Sequence, residues 1–497
     1  MFRIVTTGVF LSSLLSLSAS WLNKLVGLIS SIILARLLTP ADFGTVAIVI
    51  LVIFFFELFA AVGSRAYLLT LPNVETADLN SSFTLGILFR VAITLMIVIS
   101  APWMADFFDN PALQIPLAVA ACSQILTCLE NPGLILLRRQ LQYGLIVKIT
   151  MIAKLSSFVV TIALAYTLRS YWALIIGTLW SSLISTLLSY HWHSYRPRLE
   201  TSRISTQWHY SKWIFFNSFI GYARAKADTT LIAKHFSLAD VGLFNIAKEL
   251  GTLVYEQVAL PLSDIVISGV KHAKDDVVLA AQTVENYLVM MLSVALPATL
   301  GIVVLADDLI LLLLGEKWQP SAALLKPLAI FGCVYCVTTF MHASINARRK
   351  VKQVFFMDLI VTPLMVGFLY MQRDQSLITF ALSVLAAGFL YVSCYICLVR
   401  YYLPLSLRRF VVGALPLSLA SSTMFYSVAE SLSWYQQHAV AWPLLLKVLA
   451  HMLLGVLVYV LVYFILLIML RRHSAALRLV QAKCMQLVTP VLTRVGK

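Results

Sequence analysis

The sequence predicts an all-α integral membrane protein with about fourteen transmembrane helices. They form two six-helix lobes with a parallel internal repeat, plus two extra C-terminal helices. Composition, the spacing of apolar runs and the placement of positive charge all lead there. Of 497 residues, 60% are hydrophobic and 12% charged, and the mean hydropathy is +0.89. A soluble chain is about 45–50% apolar and about 25% charged. The departure excludes a soluble enzyme, a disordered scaffold and a secreted disulfide framework.

A helix needs about 20 apolar residues to cross the hydrocarbon core. Runs of that length fall near 8–35, 41–64, 81–103, 113–136, 146–168, 171–192 and 209–234. They continue near 241–267, 283–305, 322–345, 354–372, 376–399, 408–428 and 442–470. Three of them, 209–234, 241–267 and 322–345, contain charged or small polar residues. Arg3 followed by an apolar stretch and Ser18-Ala19-Ser20 resembles a cleavable leader. Trp21 to Leu34 continues that run, so it is read as the first span; its loss would leave an odd span count. The alternation of barrel strands is absent.

Orientation follows from Lys and Arg. With the N-terminus in the cytoplasm, 24 of the 37 lie in inner segments, seven in outer segments and six inside spans. A missed helix would scramble that split. The net charge of +15 is therefore largely positive-inside bias and implies no nucleic-acid partner. The tail, 471–497, reads as a basic amphipathic helix lying on anionic lipid at the cytoplasmic face.

Leu34-Ala35-Arg36-Leu37-Leu38-Thr39-Pro40-Ala41-Asp42-Phe43-Gly44 recurs as Ile232-Ala233-Lys234-His235-Phe236-Ser237-Leu238-Ala239-Asp240-Val241-Gly242, offset by 198 residues. Each copy ends a span on a basic residue and starts the next with a capping box, Thr39 or Ser237 at N-cap and Asp42 or Asp240 at N3. Pro40 suits the first helical position. Six spans separate the copies, so both run the same way, and a path between two lobes is expected. The lobes are placed at 1–200 and 205–405, followed by two spans over 406–470.

The run Ala35 to Gly44 resembles the first turn of Wzx-type polysaccharide-biosynthesis flippases of the multidrug/oligosaccharidyl-lipid/polysaccharide superfamily. Span count, orientation and duplication extend the resemblance over the whole chain. It implies two lobes around a central cavity, alternating access, and an oligosaccharide on an undecaprenyl-pyrophosphate carrier. It also implies an ion gradient, H+ or Na+, as energy source, a monomer, a bacterial inner-membrane location and a polysaccharide polymerase as partner. No other cofactor or metal is expected.

Ionisable residues at mid-bilayer cost several kcal/mol and usually face a cavity or a partner. Lys24 lies 12 residues before Arg36, and Arg224 lies 10 before Lys234. That is roughly 18 and 15 Å deep at 1.5 Å per residue. Two such cations suit a pyrophosphate; an Arg224–Asp228 ion pair is the alternative. Asn217, Gly221, Arg224 and Asp228 form one helical stripe. Lys226 points about 160° away from it, toward a neighbouring helix or a local unwinding. Asn245, Glu249, Thr252 and Glu256 form a second stripe with Lys248 beside it. Lys24, Arg224, Lys226 and Lys248 are therefore candidates for substrate binding. Asp228, Glu249, Glu256 and Glu57 are candidates for coupling or gating. A carboxylate desolvated in the bundle could carry the coupling ion. Asp264 groups with Glu57 as structural or gating. Arg90 and Lys154 suit snorkelling to headgroups at least as well as substrate contact. Asp358 has no assigned role.

Other motifs dissolve. Cys333-Val-Tyr-Cys336 and Cys394-Tyr-Ile-Cys397 lie inside apolar spans and read as packing, not metal sites. His191-Trp192-His193 reads as an interfacial anchor. No phosphate loop, nucleophile elbow or HExxH occurs, and no interspan segment is long enough for a catalytic domain. The expected function is flipping of an undecaprenyl-pyrophosphate-linked oligosaccharide for O-antigen, capsule or exopolysaccharide. The rivals are a cation-coupled multidrug exporter, a lipid II flippase, and a membrane enzyme or polymerase of the same pathway.

Overall fold

The computed structural model describes residues 22–60, 65–273, 276–438 and 442–470, and every regular element among them is helical. The N-terminal end of the first predicted span and the basic tail lie outside the described residues. Helix α1 covers 22–37. Then follow α2 (Pro40–Ala60), α3 (Arg65–Thr70), α4 (Thr76–Phe107), α5 (Gln114–Cys128), α6 (Leu134–Arg139), α7 (Gly144–Leu168), α8 (Trp172–Trp192) and α9 (Ile204–His235). The chain continues with α10 (Leu238–Gly251), a π turn (Tyr255–Ala259), α11 (Leu260–His272), α12 (Val277–Val304), α13 (Ala306–Leu313) and α14 (Pro320–Ala347). It ends with α15 (Val351–Met371), α16 (Leu377–Tyr402), α17 (Leu407–Gln437) and α18 (Leu444–Leu470).

Among the described residues, twelve helical stretches are long and apolar enough to cross a membrane. They match twelve of the fourteen predicted spans. Part of the first span is not described. The seventh, 209–234, falls on α9, a 32-residue helix with Lys212, Arg224, Lys226, Asp228 and Lys234 along it, which keeps it out of the apolar set. The predicted span 241–267 falls within a single helical stretch, Leu238–Lys271, in which α10 passes through a π turn into α11. Pro261 lies at the start of α11 and has no N–H to donate, which favours a slip in the hydrogen-bond ladder just before it.

The described chain divides into two compact units, within Met1–Asn245 and Ile246–Lys497. In the first, α4, α5, α7 and α8 pack side by side and α2 lies against α4, α5 and α9. In the second, α14 is the central helix, with 67% of its most apolar window buried, flanked by α11, α12 and α16. Helices α17 and α18 pair with each other, and α17 lies on α12. The Lys447–Asp308 ion pair, 2.8 Å long, ties α18 to α13.

Both expected capping boxes are formed. Asp42 Oδ2 accepts from Thr39 N at 3.0 Å and Thr39 Oγ1 at 2.6 Å. Asp240 Oδ2 accepts from Ser237 N at 3.3 Å and Ser237 Oγ at 2.7 Å. In each box the acid's own N–H donates back to the cap hydroxyl. The two boxes bring their helices together. A Cβ on Gly44 would lie 1.9 Å from the Leu238 carbonyl oxygen, and a Cβ on Gly242 would lie 1.9 Å from the Pro40 carbonyl oxygen. Residues 40 and 44 are the repeat partners of 238 and 242, so the contact is reciprocal: each copy presents its glycine to the other's first helical turn. Only glycine permits that approach.

The polar segment after α8 runs back along the start of α4. Asn80 Oδ1 accepts from Tyr195 Oη at 2.7 Å and Arg198 N at 2.9 Å, while Asn80 Nδ2 donates to Glu200 at 3.1 Å. Thr84 Oγ1 accepts from Glu200 N at 2.8 Å, and Ser81 Oγ from Arg203 N at 3.2 Å. Trp192 lies under the Lys148 ammonium, 4.2 Å from ring centroid to Nζ, as suits an interfacial anchor. Burial, with help from Arg196, lowers the His193 imidazole. Burial and the Glu200 carboxylate raise the Tyr195 phenol. Hydrogen bonds from Ser202 and Asn80 lower Glu200 below the usual glutamate value of 4.5. A carboxyl lowered by folding stabilises the native contacts above its unfolded value, and that contribution is lost as pH falls through its native value. Acidification from pH 7 to below about 4 is therefore expected to lower the protection of the 193–203 amides, measured as hydrogen–deuterium exchange relative to the intrinsic rate at each pH, and Asn80→Ala should do so already at pH 7. Protection unchanged in both cases would remove Glu200 and Asn80 as the clasp.

Candidate functional site

Four of the predicted cations, Lys24, Lys154, Arg224 and Lys226, lie in the first unit. Lys24 is exposed on α1. One turn along, at Gly27, the Lys154 ammonium lies 4.0 Å from where a Cβ would sit. Lys154 is half-buried and reaches α1 from α7. The Lys154 head group thus lies beside a neighbouring helix.

Helix α9 carries two functional faces. Phe219, Tyr222 and Lys226 turn toward α2. The Tyr222 hydroxyl donates to the Leu51 carbonyl at 2.7 Å. Phe55 meets Tyr222 at 5.8 Å and Phe219 at 6.5 Å between ring centroids. The Lys226 ammonium lies 5.7 Å from the Phe54 ring centroid. Lys226 therefore meets the neighbouring helix, and α9 shows no unwinding there. Such a cation–π contact holds the charge by about 0.5–1 kcal/mol or more when desolvated.

Arg224 and Asp228, one turn apart, lie on the other face. Arg224 is half-buried with its Nε shielded from solvent. Asp228 is buried, and its Oδ1 accepts from Thr229 N at 2.6 Å and Thr229 Oγ1 at 3.2 Å. These donors from its own helix stabilise the carboxylate. The Asn217 side chain lies outside the described residues.

Glu57 is built into a closed polar triangle. Its Oε1 accepts from Gln124 Nε2 at 2.9 Å and lies 4.0 Å from Arg90 Nη1, while Arg90 donates to the Gln124 amide oxygen. The triangle joins α2, α4 and α5. It gives Arg90 protein partners, where the sequence offered headgroups or substrate. Gln124 could not be singled out beforehand, because an amide carries no charge to mark it.

In the second unit, Lys248 is half-buried and Glu249 exposed on α10. Their helix ends at Gly251, and Glu256 lies in the π turn, where its N–H donates to the Thr252 carbonyl at 3.1 Å. The side chain of Asp264 lies outside the described residues. Asp358 is not isolated. It is buried, and its Oδ1 accepts from Tyr391 at 2.5 Å and Tyr395 at 3.0 Å. Cys333 and Cys336 are buried and, with Cys394 and Cys397, are free thiols. Among the described residues no cluster of three or more metal-ligating side chains occurs.

Residues 33–323 match the family described as polysaccharide biosynthesis protein, more than half of the chain. The chain belongs to that family. It is 20% identical over 419 residues to the lipopolysaccharide biosynthesis protein WzxC of Escherichia coli K12, covering 81% of this chain and 84% of that one. It is 20% identical over 332 residues to a membrane protein in the cps region of Klebsiella pneumoniae, 66% of this chain and 68% of that one. Its fold resembles the lipid II flippase MurJ in an inward closed conformation, with a TM-score of 0.74 at 14% identity, over 91% of this chain and 98% of that one. An inward-facing MATE multidrug transporter of the MOP superfamily aligns with a TM-score of 0.57 at 14% identity, over 80% and 95%. This polysaccharide biosynthesis protein is thus a multi-pass helical protein whose fold is shared with transporters.

Proposed function

We propose that this family member flips an oligosaccharide repeat unit, carried on undecaprenyl pyrophosphate, from the inner to the outer leaflet for O-antigen, capsule or exopolysaccharide. The observation that carries the proposal is a set of membrane-depth cations on a transporter fold within a polysaccharide-biosynthesis family. Lys24 and Arg224 hold the pyrophosphate, with Lys226 and Lys248 in support. Arginine supplies a planar multi-donor fork and lysine a mobile point charge. WzxC and MurJ are relatives in sequence and in fold, and both names point to lipid-linked glycan work.

The full architecture is proposed as fourteen spans, with lobes 1–200 and 205–405, two spans over 406–470 and a cytoplasmic amphipathic tail, 471–497. Transport proceeds by alternating access, and the reciprocal Gly44–Gly242 crossing closes one end of the path. Asp228, Glu249, Glu256 and Glu57 serve coupling or gating, with H+ or Na+ as the driving ion. The protein works as a monomer beside a polymerase.

Cells lacking the gene are expected to accumulate a complete undecaprenyl-linked repeat unit on the cytoplasmic side, detected by mass spectrometry of extracted lipids. A truncated glycan, or no accumulation, would defeat the reading and favour a biosynthetic enzyme or a drug exporter.

A further inference from the structure

At one end of the second unit a cavity of about 130 Å³ opens among four helix ends. Its walls are Val284 and Leu288 of α12, Val337 and Met341 of α14, Ile396 of α16 and Phe410 of α17. The one buried acid beside them, Glu285, is 4% exposed and already engaged. It accepts from Ser406 N at 2.6 Å through Oε1 and pairs with Arg409 at 3.2 Å through Oε2. The space is therefore apolar, with nothing to offer water, and suits hydrocarbon.

The rim has the opposite character. Arg400 lines the cavity and Arg408 follows Leu407, another lining residue. Both arginines are exposed, and neither has an acidic partner among the described residues. Arg348, Arg349 and Lys350 join α14 to α15, Lys352 lies in the first turn of α15, and the Lys350 ammonium lies 5.2 Å from the Tyr402 ring centroid at the end of α16. An apolar slot beneath unneutralised guanidinium groups is complementary to an amphiphile with an anionic head. The room is sufficient for a few methylenes of an acyl chain.

We propose that this cavity is a binding site for an anionic phospholipid of the leaflet facing the Arg-rich end. One acyl chain enters the cavity, and Arg400 and Arg408 hold the phosphate. By the positive-inside rule that leaflet is the cytoplasmic one, where anionic lipid is available. The site clamps α12, α14, α16 and α17 together at one end, and it does not depend on what the protein transports.

The test is native mass spectrometry of the full-length protein released from detergent with phosphatidylglycerol or phosphatidylcholine of identical chains. The wild type is expected to retain one phosphatidylglycerol and to lose phosphatidylcholine. Arg400→Gln with Arg408→Gln should weaken retention about 30-fold, from about 1 kcal/mol per surface cation. Ile396→Trp, which fills the cavity, should abolish it; Val284→Phe serves if that variant is not monodisperse. Arg373→Gln, at the opposite helix ends, should change nothing. Equal retention of the two lipids, or full retention by the double-arginine or cavity-filling variants, overturns the proposal. So does displacement of phosphatidylglycerol by equimolar undecaprenyl phosphate, which would assign the cavity to the carrier lipid.

Discussion

Arg224→Ala is expected to stop export of the surface glycan while the protein inserts at wild-type levels. The side chain is half-buried on α9 with Nε shielded, so a bound phosphate would meet a partly desolvated guanidinium. A hydrogen bond to a charged group in such a place is worth about 1.5–3 kcal/mol. Losing two from a bidentate contact lowers flux by at least about a hundredfold. Lys24→Ala, on the exposed cation of α1, should have the same outcome. Arg224→Lys separates charge from shape: partial export means the charge suffices, and little export means the fork is needed. Lys226→Ala should cost less, because its ammonium is already engaged with Phe54. The measurement is surface glycan per unit of membrane protein, by gel and immunoblot from the same cells. Normal export by both Arg224→Ala and Lys24→Ala would sink the pyrophosphate assignment.

Gly44→Ala and Gly242→Ala should each lower the melting temperature of the purified protein by an unusually large amount for one methyl group. In both cases the new Cβ would lie 1.9 Å from a backbone oxygen. A flexible side chain could swing aside, whereas the first turn of a capped helix cannot. Relief needs a backbone shift of more than 1 Å, and overpacking typically costs about 1–3 kcal/mol, occasionally more. This crossing belongs at the upper end, since each change forces apart the same two helices. For that reason the double variant should cost less than the sum of the singles. Gly86→Ala is the control: nothing lies within 4 Å of its would-be Cβ, so the helix-favouring residue should be neutral or slightly stabilising. Unchanged melting in both crossing variants would show that the helices separate at little cost.

What could be read from the chain follows from which forces are local. Apolar runs marked most spans, because the bilayer imposes a length and a composition on each helix separately. The capping boxes at Thr39 and Ser237 were legible for the same reason: donor and acceptor are three residues apart. Helix ends were less so. The run 81–103 belongs to a helix reaching from Thr76 to Phe107, since the Glu75–Asp78 box starts it in polar sequence that hydropathy does not count. Lys24, Arg224 and Lys226 could be singled out as charges at depth, but their surroundings could not. Phe54 pairs with a residue 172 positions later, Gln124 links Glu57 to Arg90, and two tyrosines more than 30 residues on meet Asp358. Such pairings depend on tertiary packing and leave no periodic trace. The π turn fell between the two cases: Pro261 was visible, but proline inside a span can also kink or be absorbed.

The Gly44–Gly242 contact has a consequence for how the gene can change. At most helix contacts a larger residue on one side can be met by a smaller one opposite. At this crossing each half is the other's mould. A larger residue at 44 is opposed by the main chain at 238, and one at 242 by the main chain at 40, so no side-chain substitution in the opposite copy can compensate. Each site is therefore restricted independently, and the two turns share one steric limit.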